Sequence, residues 1–160
     1  MKTCIIRATL MDDEPIFRDI EIPENKSLYN LADAIVGAFG FDFDHAFGFY
    51  NDLGWNYYKS LVRYELFADM EMENAGMDRG DQPKAGSVKR TKIFQAFTEP
   101  GQKMQFVFDY GDDWRFEIEV RDFAEKARGV KYPRILDAKG VSPEQYPDWE
   151  EEYEDEDEDD

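Results

Sequence analysis

Three aspartates beyond the middle of the chain are the residues whose types and spacing best fit chemistry. Asp109, Asp112 and Asp113 flank Gly111 and precede Trp114 in the run FVFDYGDDWRFEIEV. Carboxylate oxygens are the ligands that magnesium and calcium prefer in proteins. Aspartates also form tight turns, because their side chains accept hydrogen bonds from nearby backbone amides. We favour the turn and expect no cofactor, with a magnesium or calcium site at this acidic tip as the alternative.

His45 is the only histidine, and it lies close in sequence to the carboxylates of Asp42 and Asp44. An imidazole in such a place can act as a general base. A lone histidine at the start of a strand can equally have a structural role, and we favour that role. If the protein is an enzyme, its catalytic candidates are therefore His45, Asp112 and Asp113.

Aromatic side chains supply a second set of candidates. Trp55, Tyr57 and Tyr58 occupy a predicted loop, where they either line a ligand groove or anchor the loop to the core. The candidate binding residues are those of the hairpin and the loop together: Asp109, Asp112, Asp113, Trp114, Trp55 and Tyr57. We predict no zinc site, because Cys4 is the only cysteine and its apolar surroundings predict burial.

The aspartates sit in a predicted β-hairpin at about residues 103–121. Apolar residues hold the even positions from Met104 to Tyr110 and again from Trp114 to Val120. Opposed residues of an antiparallel pair have numbers with a constant sum, and an even sum keeps this apolar set on one face. We predict a sum of 224 for the pair.

That register leads to four local predictions. Tyr110 lies opposite Trp114 on the apolar face, and Asp109 lies opposite Arg115 on the other face. The loop is either Gly111–Asp113 or five residues long. Gly111 supplies a positive φ, which glycine adopts at little cost.

The N-terminal third predicts the elements that position this hairpin. Residues 3–10 and 16–22 alternate in hydropathy and predict a first hairpin. A helix follows, with Ser27 as its N-cap and Gly40 at its end, and an apolar face formed by Leu28, Leu31, Ala32, Ile35 and Phe39. Residues 45–50 predict a third strand. This order predicts a single α+β domain of roll-like form.

The remaining segments give less regular patterns. Residues 60–67 fit either a strand or a short helix, and residues 72–87 read as a long mobile insertion. Thr91 is a candidate cap for a short helix, residues 121–128 predict a brief helical connector, and residues 132–136 predict an extended segment. Order is expected to fade beyond Gly140, although Tyr146 and Trp149 can dock on the body. We therefore place the domain at residues 1–147 and an acidic disordered tail at 148–160.

The charge of the chain is concentrated in that tail. The formal net charge is −18, and residues 148–160 hold 11 of the 37 acidic side chains and no basic ones. Such a chain repels phosphate backbones, so we expect no direct binding of nucleic acid. Without a membrane-length apolar run or a signal-peptide pattern, we expect a cytoplasmic protein. The tail either keeps the protein soluble or docks on a basic protein partner.

The order of residues around the aspartates also carries a resemblance. The run FVFDYGDDWRFEIEV resembles the aromatic-Asp-aromatic-Gly-Asp-Asp-Trp hallmark of the Ri-plasmid open-reading-frame-three-like family. The opening of that family is similar to the run IFRDIEIPENKSLYNLADAIVGAFGFDFDHAFGFY of this chain, and its closing segment is similar to YPRILDAKGVSPEQYP. The resemblance covers most of residues 1–147 and implies an α+β roll-like domain. It implies no established activity, although some members are labelled transposon passenger or resolvase-like proteins.

Two departures from the family pattern weaken an enzymatic interpretation. Many members have a histidine two residues after the motif tryptophan, where this chain has Phe116. Many have cysteines in the closing segment, where this chain has Ile135 and residues 140–142 instead. The chain also shows no nucleophile constellation and no phosphate-binding loop. We therefore predict a non-catalytic binding or accessory module, with a carboxylate-dependent metal-binding hydrolase as the alternative.

Overall fold

The computed structural model describes residues 1–11, 14–71 and 85–146. Most of the predicted insertion at 72–87, and all of the predicted tail at 148–160 with Trp149, lie outside the described residues. Within them, one mixed sheet has the strand order β5-β4-β3-β6-β7-β1-β2-β8. No helix in these ranges is both long and apolar enough to cross a bilayer. The architecture is mixed α+β, with a large sheet and few helices.

The bounds of the elements are as follows. The strands are β1 Lys2–Leu10, β2 Ile16–Pro23, β3 Phe47–Tyr50, β4 Arg63–Glu65, β5 Gly86–Ser87, β6 Lys103–Phe108, β7 Trp114–Glu125 and β8 Arg134–Lys139. The helices are α1 Leu28–Ala38, α2 Leu66–Glu71 and α3 Ile93–Ala96, with a 3₁₀ turn at Tyr57–Lys59. Neighbouring strands are antiparallel except β4 and β5, which are parallel.

The first hairpin and its helix are confirmed. β1 and β2 pair with Cys4 opposite Ile22 and Leu10 opposite Ile16, so the alternating apolar residues share one face. The Ser27 side chain caps α1 by accepting a hydrogen bond from the Asn30 amide at 3.1 Å. The five predicted apolar residues of the helix are all buried against that sheet face.

The central hairpin keeps its predicted faces but has a different register. β6 and β7 pair Phe106 with Phe116 and Phe108 with Trp114, which gives a sum of 222 rather than 224. The predicted register is therefore wrong by two residues. A shift of two preserves the face of every side chain within the paired strands, because side chains alternate with a period of two. Hydrophobic alternation could not distinguish the two registers.

The geometry of the turn explains the shift. The turn spans five residues, 109–113, and the positive φ angles belong to Asp109 (63°) and Asp113 (58°) rather than to Gly111. Aspartate tolerates this conformation because its short side chain hydrogen-bonds locally. Tyr110 leaves the apolar face, since its hydroxyl lies 2.8 Å from that of Tyr50 on the opposite side of the sheet. The predicted pairing of Tyr110 with Trp114 is wrong for this reason.

Three predictions for the rest of the chain also change. Residues 121–125 continue β7 along β1 instead of forming a helical connector. Residues 60–67 were predicted as either a strand or a short helix, and they contain both: the strand β4 and then the start of the helix α2. Lys92 rather than Thr91 is the N-cap of α3. Long-range pairing with β1 overrides the weak local helical preference of residues 121–125.

Residues 140–146 pack on the body of the domain, although order was expected to fade beyond Gly140. The Ser142 hydroxyl donates to the Phe39 carbonyl oxygen at 2.6 Å. The Gln145 side chain is buried and bonds both backbone groups of Asp42, accepting from its amide at 2.7 Å and donating to its carbonyl at 3.1 Å. These contacts attach the closing segment to the end of α1 and to the approach to β3.

Candidate functional site

The hairpin turn holds the first of the predicted site residues, Asp109, in a structural role. Its Oδ1 accepts hydrogen bonds from the backbone amides of Gly111 at 3.2 Å and Asp112 at 3.3 Å. Its own backbone amide donates to the Ala46 carbonyl at 2.9 Å. Asp109 therefore builds the turn and joins it to the entrance of β3.

His45 lies beside the outer oxygen of Asp109. The distance from His45 Nε2 is 3.3 Å to Asp109 Oδ2 and 2.7 Å to the Tyr146 hydroxyl. That hydroxyl donates to Asp44 Oδ2 at 2.8 Å, so it accepts its other hydrogen bond from His45 Nε2. This arrangement places a proton on Nε2. The nitrogen that faces the carboxylates is thus a donor, which does not suit it to act as a general base.

Tyr146 completes this cluster of His45, Asp44, Asp109 and Tyr146. Partial loss of hydration, followed by its hydrogen bond to Asp44, raises the pKa of the Tyr146 hydroxyl to about 12. The sequence pointed to Tyr146 as a residue that can dock on the body, and the structure places it on His45. The cluster lies on the surface and fastens the closing segment to the hairpin turn.

The other predicted residues gather on a second side of the turn. A cavity of about 550 Å³ is lined there by Leu10, Met11, Leu53, Gly54, Trp55, Gln105, Asp112, Asp113, Trp114, Arg115 and Pro143. Asp112, Asp113, Trp114 and Trp55 were all predicted as binding residues. His45 and Asp109 do not line this cavity, so the predicted candidates fall into two groups instead of one constellation.

Arg115 connects the aromatic loop to the hairpin at this cavity. Its guanidinium carbon lies 3.9 Å from the centre of the Trp55 ring and 5.1 Å from that of Tyr57. One guanidinium nitrogen, Nη2, donates to the Gly54 carbonyl at 3.0 Å, and Nε lies 3.6 Å from Asp113 Oδ1. A guanidinium over an aromatic face gains a cation–π interaction. Arg115 thereby fixes the aromatic loop to the base of β7.

The prediction that Arg115 faces Asp109 is therefore wrong. In the observed register Arg115 lies opposite Val107, and the turn directs Asp109 towards His45. Sequence reasoning missed Arg115 as a site residue because it assigned the side chain a partner across the hairpin. The cluster of Trp55 and Tyr57 was the available signal, since exposed aromatic rings commonly pack against a guanidinium.

The carboxylates do not converge as a cation site requires. Asp109 points to His45, whereas Asp113 points to Arg115. Across residues 1–11, 14–71 and 85–146, no group of three or more histidine, cysteine, aspartate or glutamate side chains is arranged to hold a metal ion. The Asp109 side chain instead accepts from two backbone amides and lies beside the His45 imidazole, and Asp113 lies beside the Arg115 guanidinium.

A buried polar network on the back of the hairpin was not predicted. The Tyr50 hydroxyl donates to Glu65 Oε2 at 2.5 Å and contacts the hydroxyl of Tyr110. Glu65 also lies 3.5 Å from Arg63 Nε, and both members of this ion pair are at least 95% buried. Burial first, and then the proximity of Tyr110 and Glu65, raises the pKa of Tyr50. The network ties β3 and β4 to the turn that carries the candidate site.

The fold and site define a class of protein: an acidic α+β domain in which a large sheet carries an aspartate-rich turn beside an aromatic loop. The chain belongs to the plasmid pRiA4b ORF-3-like family, whose model matches residues 2–155. The fold is also similar to that of a solved protein of unknown function, MM3350, from Methanosarcina mazei Go1. That likeness has a TM-score of 0.72 and 21% identity, and it covers 98% of this chain and 80% of the other. At this identity it shows the fold alone. No curated protein matches the chain.

Proposed function

We propose that this protein is a non-catalytic binding module that recognises a basic segment of another protein. The observation that carries the proposal is the cavity at the hairpin turn, where two tryptophans meet two aspartates. Trp55 is 75% exposed although its ring packs on Arg115, so its other face is open to a ligand. Asp112 and Asp113 line the same cavity.

The chemistry of the cavity fits a lysine or arginine side chain. The aliphatic stem of such a side chain packs on an indole, and its charged end prefers a carboxylate. Asp112 makes no ion pair with any described residue, so its charge remains available. The positive charge of Arg115 repels a cation from the face of Trp55 on which it packs. We therefore expect the ligand to contact the opposite face of Trp55 and the side chain of Asp112.

The loop that carries Trp55 widens this surface. Large apolar side chains are exposed along it at Leu53, Trp55, Tyr58, Leu61 and Val62. Exposed apolar groups that cluster in one loop mark interaction sites more often than isolated ones do. A cluster of this kind, rimmed by acidic groups, suits a protein partner better than a small polar molecule.

The overall charge supports a basic partner. The net charge of −18 attracts positive surfaces over long range and raises the rate of encounter with them. The acidic tail at 148–160 adds to this field and is the second expected point of contact. The alternative, a carboxylate-dependent hydrolase, needs His45 and the aspartates to act together, and their separation into two groups weakens it.

The test selects ligands without assuming a partner. A phage-displayed random peptide library is panned on the full chain, and the enriched peptides are then measured by fluorescence anisotropy. We expect enriched peptides with lysine or arginine, and a Kd raised at least tenfold by Trp55→Ala, since a tryptophan at the centre of an interface typically contributes about 2 kcal/mol or more.

Phe94→Ala is the matched control, because Phe94 is an exposed aromatic residue of α3, outside this loop, and does not line the cavity. This variant is expected to bind within about twofold of the unaltered chain, as typical for a residue outside the centre of an interface. Enriched peptides without basic residues would reject the proposed partner chemistry. Equal affinity for the Trp55→Ala chain would reject the cavity as the site.

A further inference from the structure

Gln105 is a polar residue that is buried in the middle of a strand. It lies in β6 between Tyr50 of β3 and Glu117 of β7, on the sheet face opposite to the apolar core. Only 3% of it is exposed, because the loop at residues 51–62 covers it. Burial of an amide is costly unless its hydrogen bonds are made. The reason for a glutamine at this position therefore lies in the loop above it.

The Gln105 side chain holds one limb of that loop. Its Nε2 donates to the carbonyl oxygens of Asp52 at 3.1 Å and Gly54 at 3.0 Å. A carbonyl oxygen can only accept, so the amide nitrogen has to face the two oxygens and uses both of its hydrogens on them. The Gly54 carbonyl accepts a second hydrogen bond, from Arg115 Nη2 at 3.0 Å. The peptide group that joins Gly54 to Trp55 is thus fixed from two directions.

Separate hydrogen bonds close the base of the loop. The Asn51 amide donates to the Val62 carbonyl at 3.1 Å, and the Asp52 amide donates to the Ser60 hydroxyl at 3.0 Å. Ser60 is buried and does not line the cavity at the turn. Trp55 is exposed on a loop that is anchored both at its base and next to its own peptide group. The protein therefore sets the position of this ring before any ligand arrives.

We propose that Gln105 is a positioning residue, which holds Trp55 in the orientation that faces a ligand. The part of this inference that concerns binding rests on the function proposed above, and the part that concerns the loop does not. A preformed surface binds without the entropy cost of ordering it. When only a fraction of the molecules hold the competent conformation, the measured Kd is the intrinsic Kd divided by that fraction. Gln105 raises the affinity by keeping this fraction near one.

The order of the loop backbone tests the positioning without any ligand. Gln105→Met preserves the approximate length of the side chain and removes both donors. We expect the NMR order parameters of the Gly54 and Trp55 amides in the full chain to fall from about 0.85, which is typical of rigid backbone, towards about 0.6. Gln105→Glu is expected to lower them at least as far, because its carboxylate repels the two carbonyl oxygens.

Gln102→Met is the matched control. The Gln102 side chain also donates to a backbone carbonyl, that of Ala96 at 2.6 Å, but it lies outside the 51–62 loop and does not line the cavity. We expect this variant to leave the order parameters of Gly54 and Trp55 unchanged. Unaltered amide chemical shifts in β1, which is separated from β6 by β7, show that each variant is folded.

The rate constants of binding separate positioning from direct contact. With a basic peptide selected as described above, Gln105→Met is expected to raise Kd about five- to tenfold, as when one molecule in five to ten presents Trp55 correctly. The association rate constant falls by this factor and the dissociation rate constant stays the same, since every bound molecule holds the competent conformation. Loss of a contact with the ligand would instead raise the dissociation rate constant. Ser60→Ala acts from outside the cavity and is expected to lower the association rate constant in the same way, by a smaller factor.

Three results would overturn the proposal. The first is a Gln105→Met chain in which the order parameters of Gly54 and Trp55 equal those of the unaltered chain. The second is a looser loop with an unchanged association rate constant, and the third is a loss of affinity that lies wholly in the dissociation rate constant. If panning yields no basic peptide, the proposed function fails, and the order parameters alone decide whether Gln105 positions Trp55.

Discussion

Gly48 in β3 is the position where the structure makes its sharpest energetic prediction. A Cβ atom at Gly48 would lie 2.5 Å from the Tyr50 hydroxyl and 2.8 Å from the Tyr110 hydroxyl. Real Cβ atoms essentially never approach other heavy atoms within 3.0 Å, so one of these side chains must move. Tyr50 is fully buried and is held by Glu65 as well as by Tyr110, so its ring has little freedom to yield.

The cost of Gly48→Ala follows from these contacts. Overpacking in a closed core costs about 1–3 kcal/mol, and a lost hydrogen bond in the network adds about 1 kcal/mol. The lower entropy of the unfolded alanine chain offsets about 0.5–1 kcal/mol. We expect a net loss of about 1–3 kcal/mol in the free energy of unfolding, measured by urea denaturation. The same displacement would disturb the turn, since Tyr110 is part of it.

Gly37→Ala is the control for this prediction. Gly37 lies in α1 with no heavy atom within 4 Å of the added Cβ, and its φ is not positive. Alanine in a helix is favoured over glycine by about 0.5–1 kcal/mol, so this variant is expected to be more stable than the unaltered chain. A Gly48→Ala protein with a stability at or above that of the unaltered chain would refute the packing argument.

Two further predictions concern groups with raised pKa values. Burial, with Glu24 as a lesser cause, raises the pKa of the Cys4 thiol to about 12. We expect iodoacetamide at pH 8 to label Cys4 only after denaturation, and rapid labelling of the folded chain would contradict its burial. The Tyr146 pKa of about 12 lies above its unfolded value of 10.0. Its contribution to stability is therefore complete below pH 10 and is lost as the pH rises to 12. Tyr146→Phe should make the alkaline loss of stability in urea titrations shallower, and an unchanged slope would contradict the hydrogen bond to Asp44.

The N-terminal part of the fold was predictable because its signals are local. Alternation placed β1 and β2, and the spacing from Leu28 to Ile35 placed α1 with the Ser27 cap. The alternation, the helical spacing and the N-cap each depend on residues that are close together in the sequence. Residues 121–125 lacked such a signal, since their strand conformation comes from pairing with β1 over more than a hundred residues of sequence.

The candidate site was predictable in composition but not in grouping. The sequence singled out Trp55, Asp112, Asp113 and Trp114, and the fold brings these four around one cavity. It also singled out His45 and Asp109, which the fold places together on the other side of the turn. In each group, residues near β3 lie about 60 residues in sequence from those of the hairpin turn. The pairing of β3 with β6 determines which of them come into contact.

The sequence by itself determined the faces of the central hairpin, the family to which the chain belongs and the concentration of charge at its end. Face is a property of alternation, and alternation is read from a single strand. The tertiary structure decided the register of the hairpin. Within the paired strands, the registers of 222 and 224 put the same side chains on the apolar face. They differ at the turn, where the observed register brings Tyr110 to Tyr50 and Asp109 to His45. In the same register Arg115 packs on Trp55 and lies beside Asp113, and Asp112 and Asp113 line the cavity.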